Sequence, residues 1–196
     1  MRTFALVISL FVLAQAGADA QTRDALPRVV VQTTMGEIEI EVDTARAPIS
    51  GGQFLKHVDA GLYNNGRFHR TVKMDNQPKD TVKIEVIQAG IDPARDKEIT
   101  ETIQLERTSE TGLRHVDGTV STPRLKPDSA RTGFFICIND QPELDFGGKR
   151  NPDGQGFGAF GRVVRGMDVV RKIQMAPNTD AQNLTPPIAI VSAKRL

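Results

Sequence analysis

The sequence lacks several features that would place it in other classes of protein. Its one cysteine, Cys137, cannot form a disulfide within the chain. The 25 Lys and Arg and 24 Asp and Glu give a net charge of +1, without a basic run dense enough to follow a phosphate backbone. The three histidines do not have the spacing of metal ligands. We therefore expect no nucleic-acid partner, no metal site and a fold stabilised by its hydrophobic core.

Long apolar runs are also missing, and the one at the N-terminus is too short to span a membrane, which takes about 20 residues. It follows the positive Met1-Arg2-Thr3 and precedes an A-x-A cleavage site at residues 18–20. Nothing in it is amphipathic, which disfavours a core helix. We predict a signal peptide over residues 1–20, and a periplasmic or secreted protein that is not inserted in the membrane after cleavage. A linker at 21–27 and one monomeric domain at 28–196 would follow.

The rest of the chain contains many short runs of β-forming residues and only two helical patterns. Ser50 is a candidate N-cap for the first helix, whose Phe54, Leu55 and Val58 share a face, and the second is predicted over residues 168–175. Many short strands with two helices favour a mainly β fold, a closed antiparallel eight-stranded barrel capped by two α-helices. The predicted strands are residues 29–34, 37–42, 68–72, 82–88, 118–121, 134–138, 160–164 and 186–193.

A guanidinium and an amide lie on two of these strands. Arg70 and Gln88 flank a polar break at residues 73–83, whose composition predicts a loop. We expect both side chains to face one groove, with His69 on the opposite face of the strand. On the residues alone, Arg70 could equally form a surface salt bridge.

Four segments, in this order and spacing, resemble the signature blocks of the cyclophilin-type peptidyl-prolyl isomerases. The resemblance extends from about Arg28 to the last residue. The segments are Phe68-His69-Arg70, Val86-Ile87-Gln88-Ala89-Gly90, Thr132-Gly133-Phe134-Phe135-Ile136 and Gly156-Phe157-Gly158-Ala159-Phe160-Gly161-Arg162-Val163.

The resemblance implies an enzyme that needs no cofactor and acts on proline-containing polypeptides. Arg70 would be the catalytic arginine, and Gln88 would orient it and the substrate backbone. A permanently charged donor suits this reaction, because donation to the prolyl nitrogen weakens the amide resonance that opposes rotation. The implied substrate-binding residues are Phe135, Val86, Leu144, Phe157, Phe68, Gly133 and Arg124. Composition alone would assign Phe135 and Leu144 to ordinary core packing.

Several positions differ from the family pattern, which keeps a second class of function open. Val86 replaces a common pocket methionine, Gly133 a frequent glutamine, and Glu143 a frequent tryptophan. Glu85 and Arg124 also differ, and the interval from Arg70 to Gln88 is longer than usual. A cyclophilin-like module that binds proline segments as a chaperone or scaffold without catalysis is the alternative.

Other chemistries find less support in the sequence. His57, His69 and His115 are interpreted as solvated or core-edge histidines. Cys137 lies in the most apolar predicted strand, where a thiol is usually inert.

Overall fold

The computed structural model describes residues 25–179 and 181–196. The predicted signal peptide, residues 1–20, and most of the predicted linker lie outside the described residues. Among the described residues, no helix combines the length and the apolar character needed to cross a membrane.

The fold is a closed antiparallel barrel, as the strand pattern predicted. Eight strands pair in the order β1, β2, β7, β5, β6, β4, β3 and β9, and β9 pairs back with β1 to close the sheet. The two residues of β8 extend β9 at its outer edge. The strands are β1 Arg28–Thr33, β2 Gly36–Val42, β3 Arg67–Val72, β4 Val86–Gly90, β5 Thr119–Thr122, β6 Phe134–Cys137, β7 Gly158–Arg165, β8 Asn178–Thr179 and β9 Asn183–Arg195.

Both predicted helices are present, together with a third that consists of a single turn. α1 spans Pro48–Asp59 and buries Phe54, Leu55 and Val58, the predicted face. α2 spans Thr108–Thr111, and α3 spans Met167–Gln174. α1 packs against β7 and β9, and α3 packs against β2, β3 and β4. Two short 3-10 turns lie at Asp96–Glu98 and Pro142–Leu144.

The N-terminus of α1 is satisfied by a distant residue, not by Ser50. The helix begins at Pro48, so Ser50 lies inside its first turn and its side chain caps nothing. The carboxylate of Glu106 accepts hydrogen bonds from the backbone N–H of Ile49, at 2.9 Å, and of Ser50, at 2.7 Å. A negative group at this end also suits the helix dipole. The prediction of Ser50 as N-cap was therefore wrong.

The strand predicted over residues 82–88 begins only at Val86. The reason is the side chain of Gln77, which takes the place of a neighbouring strand beside Ile84. Its Oε1 accepts from the Ile84 N–H at 3.2 Å, and its Nε2 donates to the Ile84 carbonyl at 2.8 Å. Gln77 is 1% exposed, so this link ties the inserted loop into the body of the protein.

Candidate active site

The site lies on the outer face of the barrel, where three neighbouring strands bring their residues into one row. Arg70 of β3 pairs with Gln88 of β4, and Gln88 pairs with Phe135 of β6. Neighbouring strands lie about 4.8 Å apart, so the row places a cation, an amide and an aromatic ring side by side.

The guanidinium of Arg70 is fixed in place by two amide oxygens. Nη1 donates to Gln88 Oε1 at 3.0 Å, while Nε and Nη2 both donate to Gln182 Oε1, at 2.8 and 2.6 Å. Because arginine has five N–H donors, one on Nη1 and one on Nη2 are left for a substrate. An arginine can only donate, so Gln88 must turn its oxygen toward Arg70. Its Nε2 then makes no hydrogen bond within the described part of the chain.

Gln182 was not among the predicted site residues. It lies in the turn between β8 and β9, and its Nε2 donates to the Asn76 carbonyl at 3.3 Å. Asn76 in turn donates through Nδ2 to the carbonyls of Thr71, at 3.0 Å, and Ala181, at 2.7 Å. The inserted loop and the β8–β9 turn together therefore fix the acceptor that orients Arg70. The only sequence signal would have been an amide residue in a turn.

Burial, followed by the nearby charge of Arg150, lowers the pKa of Arg70 from its ordinary value, while Asp80 opposes this shift. Arginine remains protonated across the range in which proteins fold. The lowered pKa therefore reflects the cost of holding a desolvated cation, a condition that strengthens its hydrogen bonds to a substrate.

An apolar pocket opens beside this cation. Val86, Phe135 and Leu144 are each at most 4% exposed and pack in one cluster with Phe157 at its edge. The rings of Phe135 and Phe157 meet edge to face, with centroids 5.5 Å apart. All four residues line a cavity of about 700 Å³ that also contains Arg70 and Gln88. The pocket can hold a proline ring against aliphatic and aromatic walls, with the guanidinium at its side.

A buried polar network supports the ring of Phe135 from behind. His115 stacks on Phe135 with centroids 6.0 Å apart and an interplanar angle of 14°. His115 Nδ1 lies 2.8 Å from Asp145 Oδ1, and Nε2 lies 3.0 Å from Ser121 Oγ. Burial tends to raise the pKa of Asp145, but hydrogen bonds from the ring and backbone of His115 outweigh it and hold that pKa below its usual value.

His115 is therefore not the solvated or core-edge residue that we expected, since it is 1% exposed. The Ser121-His115-Asp145 order resembles that of a hydrolase triad, but Ser121 is 0% exposed. No substrate carbonyl can reach its hydroxyl, so the network serves as packing for the pocket.

Arg150 lines the cavity and is held in place by the inserted loop. Arg150, from the loop after Leu144, donates through Nη1 to Gln77 Oε1 at 3.0 Å and to the Val82 carbonyl at 2.6 Å. Its Nη2 donates to Asp80 at 3.2 Å. Glu143, which replaces a frequent tryptophan of the family, accepts from the Lys149 N–H at 2.8 Å and does not line the cavity.

The other predicted substrate-binding residues have different positions. Phe68 is 0% exposed inside the barrel, so the prediction that it binds substrate was wrong. Gly133 lines the cavity, and a Cβ there would lie 3.0 Å from Pro123 Cγ, too close for the glutamine of other family members without movement of Pro123. Arg124 also lines the cavity, but its guanidinium is used by Asp153 at 2.7 Å and the Gly156 carbonyl at 2.6 Å.

A β-bulge changes the expected direction of His69. Phe68 pairs with Ala89 and Arg70 pairs with Gln88, so His69 is an extra residue between two successive pairs. Both residues of such a bulge point to one side, and His69 lines the cavity together with Arg70. The expectation that His69 faces away from Arg70 was wrong.

Neither a thiol nor a metal centre is part of this site. Cys137 is fully buried behind the pocket, and burial raises the pKa of its thiol well above the ordinary value. Within residues 25–179 and 181–196, no group of three or more histidine, cysteine or acidic residues is arranged to hold a metal ion.

Comparison with known proteins shows the family to which the chain belongs. The family model described as "Cyclophilin type peptidyl-prolyl cis-trans isomerase/CLD" matches residues 28–195. Peptidyl-prolyl cis-trans isomerase A of Dickeya dadantii is 32% identical over 171 residues, which cover 85% of this chain and 83% of that protein. A probable peptidyl-prolyl cis-trans isomerase of Brucella abortus is 30% identical over 195 residues, 96% of this chain and 93% of that protein.

Solved structures show the same fold. A Cryptosporidium parvum cyclophilin-type isomerase, crystallised in the presence of the dipeptide Ala-Pro, superimposes with a TM-score of 0.68 at 20% identity, covering 85% of this chain and 97% of that one. The chain belongs to the cyclophilin-type peptidyl-prolyl cis-trans isomerases and is an enzyme of that class.

Proposed function

We propose that this isomerase accelerates rotation about X-Pro bonds in exported proteins as they fold, with Arg70 as the catalytic group. The observation that carries the proposal is the guanidinium held by Gln88 and Gln182 beside an apolar pocket, with two N–H donors left over. Rotation must overcome a barrier of about 20 kcal/mol that amide resonance creates. As the amide twists, the prolyl nitrogen gains a lone pair that can accept from Arg70, so the interaction strengthens in the transition state.

Gln88 contributes in two ways. Its Oε1 orients the guanidinium, and its Nε2 is available to donate to a carbonyl of the substrate backbone. Val86, Phe135, Leu144 and Phe157 hold the proline ring while the rest of the peptide turns about the bond. Positioning of this kind lowers the barrier without any covalent intermediate.

Exchange spectroscopy on a short X-Pro peptide tests the activity. We expect the wild type to raise the cis–trans exchange rate in proportion to its concentration. Binding of the peptide without any rise in exchange would favour the alternative, a non-catalytic module that binds proline segments.

The proposed location in the periplasm or outside the cell rests on the N-terminal pattern of charge, apolar run and A-x-A site. N-terminal sequencing of protein purified from the cell envelope or medium should begin at Gln21. Recovery from the cytoplasm with Met1 intact would contradict export.

A further inference from the structure

The cavity continues well beyond the proline pocket. β3 and β4 run antiparallel, so their shared ladder leads from the pocket at Val72 and Val86 past Arg70 to Arg67, opposite Gly90. The pocket end is apolar, whereas the far end is lined mainly by polar and basic groups.

The bulge at His69 brings Arg67 into the cavity. In a regular strand, residues three apart point to opposite faces, so Arg67 would face away from Arg70. On β4, however, the partners of Arg67 and Arg70 are Gly90 and Gln88, only two residues apart. The two arginines therefore lie on the same face, about 7 Å apart along the ladder, which matches about two residues of an extended peptide.

Three of the five arginines that line the cavity are paired with carboxylates. Arg124 pairs with Asp153 at 2.7 Å, Arg150 with Asp80 at 3.2 Å, and Arg131 with Asp96 at 3.7 Å. Asp96 is the one carboxylate among the described residues that line the cavity, and it is already used.

Arg67 and Arg70 differ from the others. Within the described part of the chain, neither has a carboxylate at ion-pair distance, and Arg70 is held by neutral amides alone. Arg67 is exposed and makes no side-chain hydrogen bond to another described residue. Among the described residues, the cavity therefore presents a positive charge without a paired carboxylate, about 7 Å along the ladder from the catalytic group.

We propose that the enzyme prefers substrates with an aspartate or glutamate about two residues from the proline, where the side chain meets Arg67. This inference rests on the proposed function and adds a substrate class to it. An ion pair with an exposed arginine should raise kcat/KM about two- to fivefold over an uncharged isostere. The preference should shrink at about 1 M salt, where the screening length falls to about 3 Å.

The test is a peptide series in which glutamate, glutamine or lysine is placed at each of the three positions on either side of one proline. Glutamate should exceed glutamine at the position two residues from the proline on one side, and lysine should be the poorest there. Arg67→Gln should bring the glutamate-to-glutamine ratio at that position close to one, while Arg67→Lys should keep most of it. Lys194→Gln, which removes an exposed charge on β9 outside the cavity, is the matched control and should leave every ratio unchanged.

The outcomes separate this inference from the proposed function. No acceleration of any peptide would overturn the proposed function. Acceleration of all peptides without a glutamate preference, or a preference that survives Arg67→Gln, would overturn the role of Arg67 while leaving the isomerase assignment intact.

Discussion

The inner and outer faces of β3, β4 and β6 are made by the same strands but are built differently. Phe68, Ala89 and Phe134 are paired across the inner face, each at most 1% exposed. The row of Arg70, Gln88 and Phe135 lies one step along the same ladders on the outer face. Aromatic packing fixes the inner row, whereas the outer row depends on the hydrogen bonds that Arg70 donates to Gln182 and on the stack of Phe135 with His115. Stability and catalysis are therefore expected to respond to different substitutions only one or two residues apart.

Phe68→Ala should produce the largest effect and should fall on stability. The ring packs edge to face against Phe134 with centroids 5.7 Å apart, inside a closed barrel. Removal of a buried phenylalanine ring typically costs about 3 to 5 kcal/mol of unfolding free energy. Urea denaturation followed by circular dichroism measures the loss.

Phe68→Leu should cost much less, because it keeps most of the volume. Leu125→Ala is the exposed control, since Leu125 is 97% exposed, and should change stability by at most about 0.5 kcal/mol. A loss at Leu125 as large as that at Phe68 would show that the effect of Phe68→Ala does not come from its burial inside the barrel.

Arg70→Ala should have the opposite profile. We expect kcat/KM to fall about 10- to 1,000-fold, equivalent to about 1.4 to 4 kcal/mol of transition-state stabilisation. The unfolding free energy should change far less, because the side chain is only partly buried and lies outside the barrel core. Arg162→Ala, which removes an exposed arginine paired with Glu41, is the control. Full activity in a folded Arg70→Ala protein would eliminate the proposed mechanism.

Local patterns in the sequence were sufficient for the barrel. Alternation along β2 and the apolar run of β6 predicted which strands exist, and four spaced blocks indicated the family. The bulge at His69 was not predictable from the sequence. An extra residue in a strand reverses the face of every residue that follows it, but it leaves no mark in the residue types themselves. Simple alternation puts Phe68 on the face of Arg70, and the bulge reverses this.

Distant contacts account for the other differences. Gln182 reaches Arg70 across 112 positions of sequence, and Arg150 reaches Gln77 across 73. Neither contact leaves a periodic signal, because each involves a loop whose path depends on the finished barrel. The burial of His115 depends in the same way on Asp145, which lies in a separate loop.

Gln182→Ala should have an intermediate effect, confined to the outer face. The substitution removes the acceptor for Nε and Nη2 of Arg70 while the charge remains. A hydrogen bond to a charged group is worth about 1.5 to 3 kcal/mol, and part of this loss is recovered when water replaces the amide. We expect kcat/KM to fall about three- to thirtyfold, mostly in kcat.

Gln182→Glu, which keeps an acceptor at the same reach, should retain more activity than Gln182→Ala. Its added charge complicates comparison on basic or acidic peptides, so the measurement calls for an uncharged X-Pro peptide. Equal activity of wild type and Gln182→Ala would show that Gln88 alone positions the guanidinium.

The smallest effect is a pH dependence of stability to which one histidine on α1 and one on the outer face of β3 contribute. Desolvation, followed by the charge of Lys56, lowers the pKa of His57, which is buried on α1, and Glu101 only partly opposes it. Desolvation is also the largest cause of the lowered pKa of His69 on the cavity side, with the Arg67 and Arg70 charges adding to it and a hydrogen bond to the Arg67 backbone opposing it. Near the ordinary value of about 6.5 the unfolded chain therefore binds more protons than the folded protein, so stability rises with pH in that window. As pH falls below about 6.5, unfolding free energy should decrease, by at most about 1.4 kcal/mol per pH unit for each histidine, until the folded-state pKa is passed.

Urea denaturation between about pH 5 and 8 measures this slope, and His57→Gln and His69→Gln should each flatten it. If His57→Gln flattens the slope and His69→Gln does not, only the buried histidine of α1 senses protons, and the outer face of β3 is more open to water than its geometry indicates.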